Sequence, residues 1–170
     1  KKILEILVDK NNVKWPWVFE HILIVLHKVF DELKKNNLIR ATFSFEITKV
    51  GNRIRFFIVS PTKYSNFLSN QIYAHYNDVE IIEVWDYLEN IPVSKISVWK
   101  LNLDKHYFFP IKSFTELQEE ASKDIVDPFS SITSALSRTW KYTLNTFQIN
   151  FIPINDCTWK KNKDRIVNVL

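Results

Sequence analysis

Glycine is nearly absent from this sequence: Gly51 is the only one in 170 residues. A phosphate-cradling GxxxxGK[ST] loop, a GxGxxG dinucleotide loop and a GxSxG nucleophile elbow all need several glycines, so none can be built here. Cysteine is equally scarce. Cys157 stands alone, which excludes an internal disulfide and any multi-cysteine metal site. Methionine is missing altogether and the first residue is Lys1. No secretory leader is visible, and the chain reads as a piece of something longer. Long apolar runs are lacking too. The greasiest stretch, residues 18–29, is broken by Glu20, His21, His27 and Lys28, and is shorter than the roughly 20 residues that span a bilayer.

What is abundant is aromatic. The chain has 13 Phe, 6 Trp and 6 Tyr within 46% hydrophobic content, ample for a packed core. A net charge of +4 is compatible with contact to nucleic acid or an anionic surface. It is weaker than the concentrated charge of a dedicated DNA-binding module.

The organising stretch is residues 40–85, which reads as strand, turn, strand, helix, strand. Phe43, Phe45 and Ile47 alternate with Thr42, Ser44, Glu46 and Thr48, and Ile54, Phe56 and Ile58 alternate with Arg53, Arg55 and Phe57. The lone glycine between them predicts a positive-φ hairpin turn. Ser60-Pro61 predicts an N-cap with proline in the first helical position. Tyr64, Phe67, Leu68, Gln71, Ile72 and His75 then follow at helical spacing, before a strand at 79–84. Upstream, residues 2–8 alternate as a strand. Phe19, Ile22, Leu23, Leu26, Phe30 and Leu33 form the stripe of a helix opened by Pro16.

The order strand, helix, strand, strand, helix, strand predicts an α+β fold with a ferredoxin-like unit over residues 1–88. A linker containing Pro92 leads to a second ββαβ unit over 95–154, incomplete or elaborated and with an antiparallel sheet of its own. Its elements are a strand at 95–103, a turn at Asp104-Lys105 into a second strand at 107–111, a capping-box helix from Ser113 to Ala121, a helix from Asp127-Pro128 to about Trp140, and a strand at 146–151. Residues 155–170 read as a linker or helix start toward a following domain.

Catalytic constellations are not found. His21 and His27 are six apart, not at the i, i+4 spacing of a metal pair, and His75 and His106 stand alone. Glu80, Glu83, Asp86 and Glu89 gather near one strand end, but nothing in their spacing makes two of them face across a cleft. A small hydrolytic site near Asp86 and His106 is the weakest reading. No catalytic residue, cofactor or metal ligand is assigned. The interleaving of Arg53, Arg55 and Phe57 on one sheet face offers an alternative function, a nucleic-acid-binding module that stacks bases, although the RNA-recognition signature is absent.

The matches that carry a family likeness are Phe45-Glu46-Ile47, Gly51, Ile54-Arg55-Phe56, Pro61, Tyr64, Gln71-Ile72-Tyr73-Ala74, Tyr76, Asp78, Glu80-Ile81, Glu83-Val84 and Asp86-Tyr87. Asp127-Pro128, Ala135-Leu136-Ser137, the run 147–153 and Trp159-Lys160-Lys161 extend it. This order resembles the region before the motor in conjugation and type IV secretion ATPases of the HerA/FtsK-like superfamily, with Asn77 replacing a proline of that pattern. The resemblance implies a non-enzymatic N-terminal assembly domain of a DNA- or protein-translocating ATPase. Its implied partners are its own motor, neighbouring subunits and membrane-embedded secretion components. Its implied place is cytoplasmic, at the inner face of the membrane. Candidate interface residues are Arg53, Arg55, Phe57, Trp85, Tyr87, Trp99 and Trp159.

Overall fold

A computed structural model describes residues 1–8, 22–27, 42–76, 78–102, 104 and 129–151. Five strands form one antiparallel sheet: β1 (Lys2–Val8), β2 (Phe43–Val50), β3 (Arg53–Ser60), β4 (Val79–Val84) and β5 (Asn145–Phe151), in the spatial order β4-β1-β3-β2-β5. Three helices accompany it among the described residues: α1 (22–27), α2 (Thr62–His75) and α3 (Ser130–Ser137).

The β2–β3 hairpin forms where the alternation ends and Gly51 adopts φ 61, the left-handed conformation that a side chain resists. Side chains on a strand point to opposite faces with a period of two, so the register sorts them. Leu4, Ile6, Phe43, Phe45, Ile58, Val79, Ile81 and Phe151 share one face. They meet Ile22, Leu23 and Leu26 of α1 and Leu68, Ile72, Tyr64 and Phe67 of α2 in a single core. The helical stripes expected for both segments are thus the buried ones, where described.

Three local expectations are corrected. Pro61 is the N-cap of α2 (φ −60, ψ 137) and Thr62 its first helical residue, because Ser60 is still paired to Lys2 as the last residue of β3. Residues 96–102 hold no strand: a short 3-10 turn at Val93–Lys95 gives way to irregular chain. Alternating residues become a strand only when a neighbouring strand accepts their backbone groups, and no described strand pairs with them. The expected second unit does not build its own sheet from the described residues. Its last strand, β5, pairs with β2 over all seven positions and extends the first sheet. The helix begun at Asp127-Pro128 is seen as α3. Residues 127–128, the strand expected at 107–111 and the helix expected at 113–121 lie outside the described residues. No described helix is long and apolar enough to cross a membrane.

Candidate functional site

The sheet face turned away from α1 and α2 carries polar chemistry. One cross-strand row runs Glu5, Phe57, Glu46, Gln148, and the next runs Arg55, Thr48, Thr146. Alternation puts all of them on one side, and it is the side that holds Arg53 as well. Glu46 is only 5% exposed, an expensive place for a carboxylate unless its lone pairs are filled. They are. Ser44 Oγ donates to Oε1 at 2.8 Å, Gln148 Nε2 donates to Oε1 at 2.6 Å, and the Tyr87 hydroxyl donates to Oε2.

Tyr87 arrives from the turn that follows β4. Its ring stacks on Phe57 with centroids 5.0 Å apart and planes at 29°. Its hydroxyl also lies 3.5 Å from Thr48 Oγ1, which is bonded in turn to Thr146 Oγ1 at 3.1 Å. The segment after β4 is therefore fastened across the sheet by one aromatic stack and one charge-assisted hydrogen bond. Beside it Glu5 Oε2 receives Arg55 at 3.4 Å.

Burial first, and then the Glu46 carboxylate, push the Tyr87 hydroxyl up to about 12. The folded protein thus holds this proton more tightly than the unfolded chain does, whose tyrosine titrates near 10. Stability that is complete below about pH 10 is lost as pH rises toward 12, since the unfolded state releases the proton more readily. Urea denaturation between pH 9 and pH 12 should show this loss in the wild type, and a smaller one in Tyr87→Phe.

The structure brings together four of the seven expected interface residues: Arg53, Arg55, Phe57 and Tyr87. Phe57, expected outward with the arginines, is on their face but 3% exposed under Tyr87, so its ring offers no stacking platform to a base. Trp85 and Trp99 stand elsewhere, 90% and 83% exposed. Trp159 lies outside the described residues.

Two functional contributors were missed. Glu46 read as one polar position among several in an alternating strand, and only three-dimensional pairing with Tyr87 and Gln148 singles it out. Lys49 falls on the apolar face after Phe43, Phe45 and Ile47, which was a signal. Its buried ammonium donates to the carbonyl oxygens of Ser137, at 3.0 Å, and Thr139, at the C-terminal end of α3 where a cation is favoured. Among the described residues no three metal-ligating side chains gather. Both carboxylate oxygens of Glu46 accept hydrogen bonds, which tie β2, β5 and the turn after β4 together.

With this geometry in hand, comparison with known proteins gives one match. The family model described as Domain of unknown function (DUF8128) matches residues 1–169. The chain belongs to that family. No curated protein and no solved structure matches it. What this DUF8128 domain presents to its surroundings is then the best guide to its role. Trp85 follows edge strand β4, and residues 96–101 bear Val98, Trp99 and Leu101, each more than three-quarters exposed.

Proposed function

We propose that this DUF8128 domain is a non-enzymatic assembly domain of a larger translocating ATPase of the conjugation or type IV secretion kind, whose motor lies elsewhere in the parent protein. The observation that carries the assembly reading is the outward display of Trp85, Val98, Trp99 and Leu101 within 17 residues, on a segment pinned by Tyr87. Tryptophan is enriched where protein surfaces meet, and large apolar side chains grouped on a surface mark contacts. The likeness of residues 43–87 to the pre-motor region supports the choice of parent. The order β4-β1-β3-β2 is that of two interleaved βαβ crossovers, which supports reading residues 1–88 as a ferredoxin-like unit with β5 added at its edge.

In this role the sheet is a rigid platform, and the pinned segment meets the motor, a neighbouring subunit or a membrane-embedded component. The parent would then work at the cytoplasmic face of the membrane. The nucleic-acid reading draws less support. Its face carries the Glu5 and Glu46 carboxylates, its ring Phe57 is covered, and Arg55 is already engaged by Glu5. The test of the parentage is the reading frame that encodes the domain: a strand followed by GxxxxGK[ST] is expected, and a full-length product with no such motif overturns the motor assignment.

A further inference from the structure

The two edges of the sheet are treated differently. β4 carries Glu80 and Glu83, and the backbone N–H of Ile81 is donated to the Tyr73 hydroxyl at 3.2 Å, so α2 covers the middle of that edge. Charge and an occupied backbone donor are ways of preventing edge-to-edge pairing. β5 has neither. Its sequence NTFQINF holds no charged residue and no proline, and it pairs with β2 across seven positions with no bulge. Among the described residues nothing pairs with its outer side. Trp140 and Tyr142, immediately before it, are 69% and 72% exposed.

We propose that β5 is the contact between two copies of this chain, joined antiparallel about a two-fold axis through Gln148 so that the sheet continues from one copy into the other. This axis pairs all seven residues of the strand. It sets Phe147 opposite Ile149, Thr146 opposite Asn150, Asn145 opposite Phe151, and Gln148 opposite its own copy. The row is self-complementary: on one face Phe147 meets Ile149, with Asn145 and Phe151 at its ends, on the other amide and hydroxyl meet amide, and no like charges are opposed. The electrostatics select this edge. Each copy carries +4, so two copies repel overall and join best along a neutral strip. The same symmetry at β4 would crowd four glutamates onto one seam.

The pairing names a partner for the assembly role and rests on that reading, yet the two fail separately. A monomer whose parent carries a motor overturns the pairing alone; a dimer whose parent carries none overturns only the motor assignment. The experiment is sedimentation equilibrium of the wild type, of Thr146→Lys/Asn150→Lys, of Thr146→Glu/Asn150→Glu, and of the two variants mixed. The wild type should dimerise, each double variant should dissociate about tenfold more readily or worse, and the mixture should recover a heterodimer as Lys meets Glu. A monomeric wild type, or a dimer indifferent to both variants, overturns the proposal. Should the variants unfold, amide exchange on the wild type decides it. Protection within β5 that grows with protein concentration supports the pairing, and concentration-independent exchange contradicts it.

Discussion

Replacing Phe43 with alanine should cost about 3–5 kcal/mol of folding stability, the range for removing a fully buried phenylalanine. Phe43 is 1% exposed at the start of β2, in the cluster formed with Ile22, Leu26, Ile58, Leu68, Ile72 and Val79. Its ring centroid lies 6.4 Å from that of Tyr64, tilted by 51°. Helices α1 and α2 and strands β2, β3 and β4 contribute to that cluster, so a cavity in it opens at the centre of the core. Domains of this size hold about 5–15 kcal/mol in total, so the variant should forfeit a large share of its stability. Urea denaturation with an unchanged slope is the appropriate measurement. A loss under about 1 kcal/mol would mean that the core is not centred on Phe43.

Glu46→Ala should cost about 3 kcal/mol or more, for a different reason. Among the described residues no cation pairs with the side chain. It is the shared acceptor of Ser44, Gln148 and Tyr87, and its removal takes the acceptor from the buried Ser44 hydroxyl and the half-buried Tyr87 hydroxyl, while the exposed Gln148 amide can turn to water. Glu46→Gln should cost less, since one carbonyl oxygen remains, while its amide opposes the Tyr87 hydroxyl. Coupling is the sharper signature. In a double-mutant cycle Glu46→Ala and Tyr87→Phe should fall short of additivity by about 1–3 kcal/mol, as expected for groups in one hydrogen-bond network. Additive losses would show that Tyr87 is held by its stack on Phe57 alone.

The hairpin, α2 and β5 were legible because each is a local pattern: a glycine at a positive-φ turn, apolar residues at helical spacing, strict alternation through Phe147, Ile149 and Phe151. The face shared by Arg53, Arg55 and Phe57 was legible for the same reason. The rest depends on partners distant in sequence. The alternation of residues 95–103 looks like that of β5, but β5 has β2 beside it, whereas no described strand pairs with 96–102. Nothing local says that Tyr87, 41 residues from Glu46, will reach back over Phe57. The place of Lys49 on the apolar face hints at burial, but its partners, the carbonyls of Ser137 and Thr139, lie about 90 residues away.

The surface display of Trp85 and Trp99 is tested most directly by the assembly of the full-length protein. Analytical ultracentrifugation across a concentration series should find that Trp85→Asp/Trp99→Asp raises the concentration needed for assembly by about tenfold or more. The melting temperature should stay nearly constant, because both side chains are solvent-facing. Assembly at the same concentration as the wild type would contradict the account.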